Sequence, residues 1–156
     1  MTTFDWNYVT VVHSDSDYGQ TGYHSIKKKV EETKHICLAE PIIIYNAHFQ
    51  HADYVDIVRK LVPAGPDEKI VKPKIVIVFA DRQPAGKLIE AAKSLGVKGQ
   101  FVWVGSDAWA SRESVVEDRE EFVEDAIAIQ PLRNAPQFLP GFCGVPLNGG
   151  VHEKSL

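Results

Sequence analysis

The sequence predicts an α/β fold: a mostly parallel sheet with helices on both faces. Short apolar runs rich in β-branched residues alternate with segments of helical period, the pattern of βαβ units. Right-handed crossovers between parallel strands then distribute the helices over both faces. The least ambiguous buried strand is KIVIVFA, Lys74–Ala80.

In chain order, YVTVVH (Tyr8–His13) reads as the first strand. Tyr23, Ile26 and Val30 recur at helical spacing and predict a helix from about Gly19 to Lys34. ICLAEPIII (Ile36–Ile44) is extended, and Pro41 within it predicts an edge strand or a bulge. Tyr54, Ile57, Val58 and Leu61 form the stripe of a second helix. Pro63–Pro73 is a loop by its proline and glycine content. After Lys74–Ala80, Leu88, Ala92 and Leu95 mark a third helix, closed by Gly96 just past its end. QFVWVG (Gln100–Gly105) is the fourth strand and DAIAIQ (Asp125–Gln130) the fifth. Beyond Gln130 the periodicity stops, and residues 131–156, rich in Pro, Gly and Asn, read as an irregular tail.

A chain of 156 residues is one domain in size and long enough to bury a core. Its apolar fraction of 44 % argues against disorder. A net charge of −4 lacks the basic footprint of a nucleic-acid binder, so no nucleic acid is expected as partner. The run Lys27–Lys29 falls in a helical pattern and reads as a solvated face. No apolar run reaches the ~20 residues that span a bilayer, and the N-terminus has no signal-peptide architecture. Cys37 and Cys143 have neither disulfide-framework nor metal-motif spacing. Composition by itself reads as soluble and cytoplasmic.

In an open parallel sheet, ligands bind beyond the carboxyl ends of the strands. That rim should carry Ser14, Asp15, Asp17 and Tyr18, then Asp81 and Arg82, then Asp107 and Arg112. A carboxylate suits an ammonium ion through a charge-assisted hydrogen bond. An aromatic face adds about 0.5–2 kcal/mol of cation–π attraction. An arginine nearby suits a carboxylate. Together they describe an amino acid with an extra acid. The plainer reading makes Asp107 a helix cap and Arg112 half of a surface ion pair.

Other constellations are weaker. DYGQTG (Asp17–Gly22), with two glycines about the start of a helix, is the alternative candidate, a nucleotide- or phosphate-binding loop of an α/β enzyme. It lacks both the P-loop ending and the G-x-G-x-x-G spacing. His48 and His51 read as two ligands on one helical face, without an evident third. No nucleophile has a placed base, so no enzyme activity, metal or cofactor is expected.

The residues W-x-Y-V (Trp6–Val9), D-Y-G-x-x-G (Asp17–Gly22), I-C (Ile36–Cys37) and S-D-x-W-x-x-R (Ser106–Arg112) stand in this order. With them, Phe4 to Gln130 resembles the second lobe of the extracellular ligand-binding module of metabotropic glutamate receptors, class C G-protein-coupled receptors. The resemblance implies one lobe of a periplasmic-binding-protein-like clamshell that closes on agonist to trigger signalling, with L-glutamate or a similar amino acid as ligand. It implies that Tyr18 packs beside the ligand ammonium, that Asp107 accepts its hydrogen bond, and that Arg112 faces the distal carboxylate. Trp109 is expected to be structural. Calcium-sensing relatives usually lack the arginine, so Arg112 favours an acidic ligand. Gln20 stands where many members carry an acid at the contact between lobes of a receptor homodimer. Cys37 matches a cysteine that bridges to a following cysteine-rich domain; without that domain it is unpaired or joined to Cys143. On strand periodicity alone it is a small buried hydrophobe. The resemblance overrules the cytoplasmic reading. It implies a fragment of a plasma-membrane receptor, on the extracellular side, separated from its first lobe, cysteine-rich domain, signal peptide and membrane helices.

Overall fold

The computed structural model describes residues 7–45, 47–62, 74–110 and 113–130. The expected loop at 63–73, the tail at 131–156, Arg112 and Cys143 lie outside these residues. Strand β1 (Tyr8–Ser14) leads into helix α1 (Asp17–Thr33), followed by β2 (Cys37–Leu38), β3 (Ile42–Ile44) and helix α2 (His51–Leu61). Then come β4 (Ile75–Phe79), helix α3 (Arg82–Ser94) and β5 (Val102–Gly105). Two short helices, α4 (Asp107–Ala110) and α5 (Glu113–Val116), and a 3₁₀ turn (Glu120–Phe122) precede β6 (Ile127–Ala128).

All described strand pairs are parallel, in the order β2-β1-β4-β5-β6, with β3 also beside β1. The predicted second strand is therefore one interrupted edge. Tyr8 faces Cys37 but Val12 faces Ile42, so the edge gains a residue between its two pieces. Pro41, which has no N–H to give the ladder, sits in that gap.

Alternation along the strands separates two faces. Val12, Val76, Val78 and Trp103 point into the main core, where α2 contributes Tyr54, Ile57, Val58 and Leu61 and α3 contributes Leu88, Ile89 and Ala92. Val9, Val11 and Val104 are buried on the opposite face, toward α1. Helix α3 ends as expected. Gly96, at φ +65°, donates to the Lys93 carbonyl and Val97 donates to Ala92, the two bonds of a Schellman stop.

Helix α1 begins earlier than its apolar spacing suggests. Ser16 caps it, its Oγ accepting from Gly19 N–H at 3.3 Å. Both glycines of DYGQTG thus lie inside the helix, not in a loop before it. A Cβ on Gly19 would stand 2.3 Å from the Ser14 carbonyl oxygen, and one on Gly22 would stand 2.2 Å from the Phe79 ring. The glycines let α1 press against β1 and β4. That spends the glycine signal of the phosphate-loop reading on helix packing.

A methyl group forced into such a contact costs about 1–3 kcal/mol, against about 1 kcal/mol gained from replacing a helical glycine by alanine. Gly19 meets backbone, which cannot swing aside. Gly19→Ala is therefore expected to lower the urea midpoint of unfolding. A raised midpoint would show that α1 stands further from the sheet.

Candidate functional site

The carboxyl ends of β1, β4 and β5 share one edge, because the strands are parallel and in register. Tyr18, on the first turn of α1, and Asp107, the first residue of α4, meet there although 89 residues apart: the Tyr18 hydroxyl donates to the Asp107 carboxylate. Tyr18 also leans on Phe79, with ring centroids 6.0 Å apart. Burial pushes the Tyr18 phenol above its ordinary value of 10.0, and the hydrogen bond and negative charge of Asp107 push the same way. The Ser106 side chain and, less so, the Ala108 backbone push the other way.

Tight packing behind Asp107 fixes its place. Ser106 N–H donates to the Val78 carbonyl at 3.2 Å, which extends the β4–β5 ladder by one residue. Trp109 N–H donates back to the Ser106 carbonyl, and its indole is 5 % exposed. That indole lies so close over Gly105 that a Cβ there would come within 2.6 Å of it. Trp109 is thus a packing residue, as expected, and it holds the turn that presents Asp107.

Beside Asp107 is a cavity of about 270 Å³, walled by Ile77, Phe79, Val104, Ser106, Asp107 and Ile129 among others. Complete small-molecule sites run from about 300 to 1,000 Å³. The lining is mostly apolar, with Ser106, Asp107 and Gln130 as its polar residues. Tyr18 closes over Asp107 from the α1 side.

The other rim residues do not join this site. Ser14 is fully buried, with its hydroxyl 2.7 Å from that of Ser16. Asp15 donates its N–H to the Ile44 carbonyl, and Asp17 is exposed on α1. Asp81 precedes α3. Arg82 lines a different cleft, with Lys87, Glu90 and Arg119, between α3 and α5. A roomier hollow of about 840 Å³ flanks the break in the edge strand, walled by Tyr8, Pro41, Phe49, Asp56 and Lys60 among others. Among the described residues it has no linked phenol–carboxylate pair like Tyr18 and Asp107. His48 lies in the turn before α2 and His51 is its first residue, so the two do not share a helical face. Cys37 is exposed on β2, contrary to the buried reading, because it sits on the outermost strand.

Ser106 escaped the sequence reading of the site. The signal was parity: Val102, Val104 and Ser106 fall on one side of β5, the side facing α1 and the cavity.

The model of the receptor family ligand binding region matches residues 1–143. The chain belongs to this family. The match runs past Gln130, where the periodicity ends. Metabotropic glutamate receptor 8 of Homo sapiens is 30% identical over 133 residues, 85% of this chain. Metabotropic glutamate receptor 4 of Macaca fascicularis is 31% identical over 128 residues, 82% of this chain. These are receptors of the kind to which the sequence motifs pointed. The chain spans only 14% and 13% of their respective lengths. No helix among the described residues is long and apolar enough to cross a membrane.

The raised Tyr18 phenol sets an alkaline dependence. A phenol whose folded value lies above its unfolded one adds stability that is complete below the unfolded value, 10.0, and is lost as pH climbs through the folded value. Tyr18→Phe removes that contribution. The stability gap between wild type and Tyr18→Phe, measured by urea unfolding, should narrow above that pH. A constant gap would contradict the placement of the hydroxyl.

Proposed function

We propose that this chain forms one lobe, over residues 4–130, of a receptor module that binds an acidic amino acid such as L-glutamate. The observation that supports this most is the meeting of Tyr18 and Asp107 beside an apolar cavity at the carboxyl edge. In this reading Asp107 accepts from the ligand ammonium. The Tyr18 hydroxyl, which occupies that carboxylate in the structure, yields to the incoming cation while its ring stays beside it. Arg112, outside the described residues, takes the distal carboxylate.

The mechanism is closure rather than chemistry. Ligand docks on a first lobe outside this chain, and the contacts of Tyr18, Asp107 and Arg112 become available only when the lobes close. Their differential affinity shifts the open–closed equilibrium and so triggers G-protein-coupled signalling. The parent is a plasma-membrane receptor with this lobe on the extracellular side, followed by a cysteine-rich domain that pairs with Cys37. Two such receptors associate as a homodimer. The exposure of Cys37 suits a bridge to another domain.

Half of a two-lobe site holds its ligand weakly. If the other lobe contributes ~4 kcal/mol, its absence weakens binding about a thousandfold. Calorimetry on the 156-residue chain should therefore show L-glutamate binding no tighter than ~1 mM. Micromolar affinity would mean a self-contained site. Ligand-observed NMR separates the roles. Asp107→Ala should weaken L-glutamate and L-alanine alike, by roughly ten- to a hundredfold. Arg112→Ala should weaken L-glutamate only. Equal losses for both ligands in Arg112→Ala would remove the case for an acidic ligand.

A further inference from the structure

Ser106 is 4 % exposed and, among the described residues, its hydroxyl is the buried side-chain oxygen left with no hydrogen-bond partner. Its proximity to Tyr18 is felt by the phenol, yet no hydrogen bond of acceptable geometry joins them. The contrast within the same sheet is instructive. Ser14, at the equivalent end of β1 and fully buried, has its hydroxyl bonded to Ser16. Buried polar atoms are nearly always satisfied, and an exception calls for a partner that the chain does not supply. Alanine would fill the same place at the end of β5 without stranding an oxygen. Ser106 lines the cavity and adjoins Asp107, so the missing partner would sit in that cavity.

The neighbouring carboxylate selects the partner's chemistry. A serine hydroxyl both donates and accepts. Asp107 would repel an anion placed between them and attract a cation. A primary ammonium carries three N–H donors in tetrahedral array, enough to reach two adjacent acceptors and keep one for a group elsewhere.

We infer that Ser106 Oγ is a second acceptor for the ammonium held by Asp107, so that the site distinguishes an ammonium with two or more N–H donors from an N,N-dialkylated one, which has a single N–H. This rests on the amino-acid reading above. It adds a specificity-determining residue that acts by counting donors rather than by charge.

The test uses the full chain, L-glutamate and N,N-dimethyl-L-glutamate at tens of millimolar, with affinities from NMR titration and Tm from thermal melts. Wild type should bind L-glutamate more tightly than the N,N-dimethyl compound, whose single N–H serves Asp107 and leaves Ser106 unpaired. Ser106→Ala should weaken L-glutamate by about three- to tenfold, close the gap between the two ligands, and leave Tm equal or higher, because an unpaired buried hydroxyl has gone. Ser106→Cys, which keeps a side chain of similar shape but lacks the strong acceptor, should repeat the loss and covers the case in which the alanine variant does not fold. Unchanged L-glutamate affinity in both variants, or an unchanged gap between ligands, would overturn the inference. Asp107→Asn separates the two levels of the argument. If it abolishes binding and the Ser106 variants do not weaken it, the inference about Ser106 alone fails. If wild type binds neither amine, the amino-acid reading fails and carries this inference with it.

Discussion

Helix α1 approaches the β1–β4 pair so closely that two of its positions have no room for a side chain. Gly19 sits against the backbone of Ser14, and Gly22 against the ring of Phe79. The helix thereby brings its first turn over the carboxyl edge of the sheet, and with it Tyr18. A helix held off by even a methyl group would move the Tyr18 hydroxyl away from Asp107. The parallel register does the rest: β1, β4 and β5 end together, so the residues after each strand meet on one rim. The site is therefore a product of close backbone packing more than of the polar groups that meet in it.

The Tyr18–Asp107 bond fixes the arrangement of the two side chains at the rim. A lone carboxylate on the rim would be solvated and free to turn. Paired with a phenol, it is oriented, and under the proposed function a ligand ammonium replaces a hydrogen bond rather than merely forming one. That exchange lowers affinity for weak donors and favours cations, since an ammonium adds the attraction of its own charge to a bond that the neutral phenol already makes to the carboxylate. Ser106 fits the same logic. Its hydroxyl lacks a partner beside an oriented carboxylate, a local cost of the kind that binding sites carry.

Much of this was legible in the sequence, for identifiable reasons. The β-branched runs of β1 and β4 and the Tyr54–Leu61 stripe declared themselves because a buried strand and a one-sided helix have distinct periods. Gly96 announced the end of α3 because the left-handed position there suits glycine. Tyr18 and Asp107 were named through local motifs, though no local signal could say that they touch. The failures are equally physical. Gly19 and Gly22 looked like a loop because glycine is a poor helix former, and only the neighbouring strands explain why it is needed. The edge strand read as one piece because the extra residue near Pro41 shows itself only against the register of β1. Cys37 was open to a buried reading because sequence periodicity does not reveal that β2 is the outermost strand. Arg82, equally basic and equally near a strand end, faces another cleft because α3 carries it toward α5.

The central claim is that an amino acid docks where α1 and the end of β5 converge. Amide chemical-shift mapping of the ¹⁵N-labelled chain during an L-glutamate titration tests it directly. The account predicts saturable shifts concentrated at Tyr18, Gly19 and Ser106–Trp109, with the edge-strand hollow around Asp53 and Asp56 unmoved. Shifts centred on that hollow, or on the Arg82–Arg119 cleft, would contradict it.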